Sequence, residues 1–261
     1  MKSKREESLK KTRKKGIYVL PNLLTSASLF CGFFGIIAAI HGRYETTAIA
    51  ILISCLFDGL DGKIARFTNS TSHFGIEYDS LSDLVAFGVA PGILAYQWAL
   101  APFGRFGWMA CFMFVICGAL RLARFNVQKE TLDPNFFKGL PIPAAASFVA
   151  SLVLFTAAVG VLPESKRIMI IIAIYLLSFL MVSNLDYPSF KEMELKKRKP
   201  FNVLVTTILI LLVIAYKPKI MLFFVLIAYV LSGPVITTVR SQKRLAKANR
   251  HLEKDPFRHN R

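Results

Sequence analysis

Apolar positions in this chain run in long unbroken blocks, with neither the period of a half-buried strand nor a narrow amphipathic stripe. Eight blocks stand out, at residues 20–40, 46–67, 81–102, 108–125, 143–162, 168–183, 201–216 and 220–239. Most approach the roughly 20 residues that a helix needs to cross the hydrocarbon core of a bilayer. The sixth and seventh are short. The expected fold is therefore all-α, a polytopic transmembrane helix bundle of about eight spans. It would form one membrane domain over residues 20–240, preceded by a basic juxtamembrane segment at 1–19 and followed by a basic tail at 241–261.

Composition agrees. Hydrophobic side chains make up 54% of the 261 residues, yet the formal charge is +17. The basic residues lie between the apolar blocks, so the charge belongs to membrane edges and nucleic acid is not an expected partner. Lys2, Lys4, Arg5, Lys10, Lys11, Arg13, Lys14 and Lys15 precede the first block, Lys191 to Lys199 supply five cations before the seventh, and Arg240 to Arg261 follow the eighth. The alternate loops carry few: Arg43, Arg105, Lys166 with Arg167, and Lys217 with Lys219. Positive charge marks the cytoplasmic side, so both termini are expected there, in the cell membrane, with an even number of spans. The first block is long and has no cleavage site after it, which reads as a retained helix. Cys31, Cys55, Cys111 and Cys117 all fall within apolar blocks and read as small core residues.

The chemistry gathers in FDGLDGKIARFTNSTSHFGIEYDSLSDL. Carboxylates near a bilayer cost about 2.5–3.5 kcal/mol each at a helix centre, so they mark function. Asp58 and Asp61 are three apart at the end of the second block; Asp79 and Asp83 are four apart where the third begins. Those spacings put each pair on one helix face. A short connection makes the helices antiparallel neighbours, so all four acids can converge. Four carboxylates together need neutralising, and two divalent cations with oxygen ligands, Mg2+ or Mn2+, suit them. Such a pair suits displacement at phosphorus. Gly59, Gly62 and Ala65 remove bulk where a ligand could approach the backbone, and Lys63 and Arg66 offer charge to a phosphate. A transporter whose acids line an ion path is the alternative from another class, but these acids lie at one depth.

The run Asp58-x-x-Asp61-Gly62-x-x-Ala65-Arg66, eight residues, Gly75, three residues, Asp79, three residues, Asp83 resembles the signature of the CDP-alcohol phosphotransferase family at every defined position. The resemblance covers about residues 20–190. It implies that Asp58, Asp61 and Asp79 ligate metal and that Asp83 completes the site and acts as general base. It also implies that Gly62, Ala65, Arg66 and Gly75 shape the pocket for the cytidine diphosphate group of CDP-diacylglycerol. Asn22, in PNLLT, resembles the asparagine that family members place near the nucleotide; the plainer alternative is a helix N-cap.

The segments YDSLSDLVAFGVAP, RLARFN, FFKGLPIPAAA and SNLDYPSFK resemble the membrane-bound (type II) phosphatidylserine synthases of that family. This implies L-serine as acceptor, ahead of glycerol 3-phosphate or inositol phosphate. Arg121 and Arg124, three apart at the end of the fourth block, then become candidates for the serine carboxylate or a lipid phosphate, or else snorkel to the interface. Lys138 is a further anion contact, while Gly139, Pro141 and Pro143 shape the loop and start the next helix. Gly32 and Gly35 allow close helix contacts, and a homodimer is the expected assembly.

Overall fold

A computed structural model of the chain describes residues 2–68, 70, 72–128, 136–160, 167–188 and 217–254. Helix α1 spans Lys2–Ile40 and α2 spans Tyr44–Phe67. A continuous helical segment, α3, follows over His73–Phe103, then α4 over Arg105–Gln128. Strand β1 (Phe136–Lys138) leads into α5 (Ile142–Val159); α6 (Arg167–Val182) leads into β2 (Asp186–Pro188); α7 spans Pro218–Lys254.

Five of these helices hold segments long and apolar enough to cross a membrane: Leu20–Ile40, His73–Phe103, Arg105–Gln128, Ile142–Val159 and Pro218–Arg240. Helix α2 is not among them, because its own acids and bases interrupt the apolar run. Helix α6 is a shorter apolar helix, as its block predicted. The block expected at 201–216 lies outside the described residues. The bundle is thus an all-α membrane architecture, with one addition that hydropathy did not foreshadow. Strands β1 and β2 pair antiparallel, Phe137 opposite Tyr187 and Lys138 opposite Asp186.

Helix α3 is the axis. Ala86, Phe87, Ala90, Leu94, Ala95 and Leu100 are buried along it. Small residues let its neighbours approach: a Cβ on Gly32 of α1 would lie 2.6 Å from the Ala86 Cα. Gly35 of α1 faces Thr47 and Ala50 of α2, so both glycines serve contacts within the chain. The helix is not regular. Residues Leu84–Val89 and Tyr96–Leu100 form π turns, and the Ala90 N–H reaches back to the Val85 carbonyl. Pro91 follows at once; lacking an N–H, it cannot continue the ordinary ladder, and a wide turn absorbs the mismatch.

Helix ends have local causes. The Ser72 side chain accepts the Gly75 N–H at 3.0 Å and caps α3. Gly160 closes α5 at φ 72°, a left-handed turn that suits glycine. Helix α7 is held by ring contacts of Phe223 with Phe148 and Phe155. Farther along, the Tyr187 ring occupies the space beside Gly233, and the Tyr187 hydroxyl donates to the Val230 carbonyl at 3.1 Å.

Candidate active site

The second half of α2 and the first turns of α3 carry the acids. Asp58, Asp61 and Asp79 each offer an oxygen within 4.8 Å of the other two. The spacing of three on α2 and the antiparallel return through α3 produce that convergence. Asp83, one turn beyond Asp79, is not one of the three but interacts electrostatically with all of them. It is 9% exposed, and its Oδ1 is buried with no hydrogen-bond partner. A buried carboxylate oxygen without a donor is costly, and a cation or a substrate hydroxyl would satisfy it. The donor set, all carboxylate oxygen, fits a hard divalent cation.

Helix α1 supports this centre. The Thr25 hydroxyl lies 2.7 Å from Asp61 Oδ2, and the Ser82 hydroxyl donates to the Thr25 carbonyl at 3.1 Å. Ser26 and Tyr78 share a hydrogen bond of 2.8 Å. Asn22 is half-buried inside α1. The helix runs through it, so it is no N-cap, and its Oδ1 would lie 3.4 Å from a Cβ on Gly75. Asn22 and Gly75, far apart in sequence, therefore share one spot.

Two glycines lack a packing explanation. A Cβ on Gly59 or Gly62 would meet nothing within 4 Å. Protein atoms do not demand glycine there, as they do at Gly32, so the open strip on α2 beside the acids is free for something else. Ala65 is half-buried next to it; Lys63 and Arg66 are exposed.

A family model for CDP-alcohol phosphatidyltransferases matches residues 18–182. The chain belongs to this family. A CDP-diacylglycerol–serine O-phosphatidyltransferase of Helicobacter pylori (strain ATCC 700392 / 26695) is 45% identical over 178 residues, 68% of this chain and 75% of that protein. The archaetidylserine synthase of Methanothermobacter thermautotrophicus is 40% identical over 171 residues, 65% and 69% of the two chains. A CDP-diacylglycerol–serine O-phosphatidyltransferase of Bacillus subtilis (strain 168) is 35% identical over 173 residues, 66% and 92%. This chain is thus an integral membrane phosphatidyltransferase, and its family relationship and its acidic cluster both point to divalent metal.

The basic candidates of this phosphatidyltransferase separate. Arg121 is 7% exposed, lies near Asp83 and Tyr229, and leaves its Nε buried without a hydrogen-bond partner. Arg124, one turn on, spends its guanidinium on protein. It donates to the carbonyls of Val182, Ser183 and Lys138 and to the Asn184 side chain, at 2.9–3.2 Å. Lys138 pairs with Asp186 at 2.5 Å. Gly139 beside it has φ 76°, and a Cβ there would meet the Met181 carbonyl at 2.3 Å. Its role in shaping the loop is explicit.

Sequence reasoning passed over Thr25, Asn126 and Asp186. Asn126 Nδ2 donates to Ser80 Oγ at 2.9 Å and ties α4 to α3. Asp186 receives Lys138 and Arg240, the latter at 3.3 Å, while its own N–H donates to Thr237 Oγ1. Burial works to raise the Asp186 carboxyl, but Lys138 and Arg240 overcome it and hold the group below the usual carboxylate range. The only available signal was that RLARFN and SNLDYPSFK place polar residues at helix ends. A cavity of about 520 Å³ lies elsewhere, bordered by Arg43, Tyr44, Glu45, Trp98 and Thr156 at the start of α2. That is about 20 Å along the helix from Asp58, so it takes no part in this chemistry.

Proposed function

We propose that this phosphatidyltransferase transfers the phosphatidyl group of CDP-diacylglycerol to L-serine, giving phosphatidylserine and CMP. The observation that carries the chemistry is the convergence of Asp58, Asp61 and Asp79 from two helices, beside Asp83 with its unpartnered buried oxygen. The serine acceptor is supported by the names of the relatives at 35–45% identity.

Asp58, Asp61, Asp79 and Asp83 hold two divalent cations, Mg2+ or Mn2+. When bound, the cations neutralise the pyrophosphate and stabilise charge on the departing nucleotide. The chain's own groups do the rest. CDP-diacylglycerol lies with its acyl chains in the bilayer and its cytidine diphosphate along Gly59 and Gly62, bordered by Asn22, Ala65 and Gly75. Lys63 and Arg66 meet its phosphates. Arg121 binds the serine carboxylate, which gives its unpartnered Nε an acceptor. Asp83 takes the serine hydroxyl proton as general base. The serine oxygen bonds to the phosphorus that carries diacylglycerol as the bond from that phosphorus to the CMP oxygen breaks. Inversion at phosphorus is the expected stereochemistry; retention would indicate a covalent aspartyl intermediate instead.

The asymmetry of basic loops supports a cytoplasm-facing site in the cell membrane with both termini on that side. Lipid-exposed Phe106, Phe112 and Leu120 on α4 leave room for a homodimer contact. The deciding assay is CMP release from CDP-diacylglycerol by detergent-purified protein, offered serine, glycerol 3-phosphate, inositol phosphate or no acceptor, with Mg2+, Mn2+ or chelator. Metal-dependent release that requires serine is expected. Release driven by another alcohol overturns the acceptor, and no release from folded protein overturns the activity.

A further inference from the structure

Hydroxyl side chains inside helices ordinarily return their proton to the carbonyl four residues back, and in this chain Ser26, Thr68 and Ser80 do so. Thr25 departs from that habit. Its Oγ1 lies 3.1 Å from the Pro21 carbonyl but 2.7 Å from Asp61 Oδ2. One hydroxyl proton cannot serve both fully, and the shorter contact to a carboxylate is the stronger bond. Thr25 and Asp61 are each 4% exposed, so water does not compete for either. The Thr25 carbonyl in turn accepts the hydroxyl of Ser82, the residue before Asp83. A single residue of α1 therefore touches both acid-bearing helices at the level of the acids.

We infer that Thr25 is a positioning residue for the metal centre: its hydroxyl fixes the Asp61 carboxylate through one oxygen and so orients the other toward the ion. The inference rests on the metal reading above. Groups that orient a metal ligand in this way typically govern about 10- to 100-fold in affinity or activity. Ser28 supplies the control. It lies three residues along the same helix, also buried, but its hydroxyl engages only Ser54, at 2.7 Å to the hydroxyl and 3.2 Å to the carbonyl.

The test is Mn2+ binding by the full-length, detergent-purified protein, with free Mn2+ followed by electron paramagnetic resonance and no substrate present. Thr25→Val should weaken Mn2+ binding about 10- to 100-fold, Thr25→Ser should stay within about threefold of wild type because the donor is kept, and Ser28→Ala should bind as wild type even if its melting temperature falls. If Thr25→Val does not fold, Thr25→Ala against Thr25→Ser gives the same contrast between donor absent and donor present. Equal affinity with and without the hydroxyl overturns the role of Thr25 while leaving the metal centre standing. Wild-type protein that binds no Mn2+ overturns the metal reading and the inference with it.

Discussion

Replacing Gly62 with alanine separates a glycine kept for packing from one kept for a ligand. Gly62 lies within α2, and a Cβ there meets no protein atom within 4 Å. The methyl group therefore strains nothing, and alanine is favoured over glycine inside a helix by about 0.5–1 kcal/mol. For a chain of this size that raises the melting temperature by about 1–4 °C. If the cytidine diphosphate of the donor fills that space, the same methyl collides with it. Overfilling a close-packed contact costs about 1–3 kcal/mol, or about 5- to 150-fold in kcat/KM. Stability and activity should move in opposite directions. Gly32→Ala is the counterpart: its Cβ would lie 2.6 Å from the Ala86 Cα, so it should lower the melting temperature. The assay pairs thermal melting in detergent with CMP release at varied CDP-diacylglycerol. Gly62→Ala with wild-type kcat/KM would refute the reasoning, and so would lost activity accompanied by a lower melting temperature.

Asp83→Asn should lower kcat for CMP release about 10²- to 10⁴-fold, the range of a lost general base, while CDP-diacylglycerol still binds; unchanged kcat would remove Asp83 from that role. Arg121→Lys, which keeps charge but loses the planar fork, should raise KM for serine about 10-fold or more, whereas Arg124→Met should lower the melting temperature and leave that KM alone. Asp186→Asn should cost about 1–2 kcal/mol of stability at neutral pH, read as a lower melting temperature. Because the Asp186 carboxyl is held below its ordinary value, its contribution is present above the unfolded pKa of about 4 and lost as pH falls through the lower folded value. The wild-type advantage over Asp186→Asn should therefore vanish in acid, and an advantage that persists there would exclude the ion pairs as its source.

What the sequence made legible was local. Asp58 with Asp61, and Asp79 with Asp83, could be placed on shared faces because helical spacing alone puts them there, and a short connection brings the two faces together. Asn22 was chosen by resemblance, and the helix running through it removed the capping alternative. Arg121 and Arg124 looked equivalent at a spacing of three; their partners separate them, and those partners come from α6, β2 and the acids, some 40 to 60 positions away. Thr25 was hidden for the same reason, since its carboxylate is 36 residues distant and a threonine in an apolar run carries no mark of it. The β1–β2 ribbon escaped because each strand has only three residues, too few for alternation to register. The π turns of α3 follow from Pro91, but a proline inside an apolar block signals a disturbance without saying which kind.

Those wide turns make chain length matter as much as composition. A π turn accommodates one residue more than the regular coil would, and Leu84–Val89 begins directly after Asp83. Deleting a single residue there would let the coil tighten and would turn Asp79 and Asp83 by about 100° relative to everything downstream. The carboxylates would swing away from Asp58 and Asp61 although no side chain of the site had been altered. Between Asp83 and Pro91 the protein should accept many substitutions of similar size and no insertion or deletion at all.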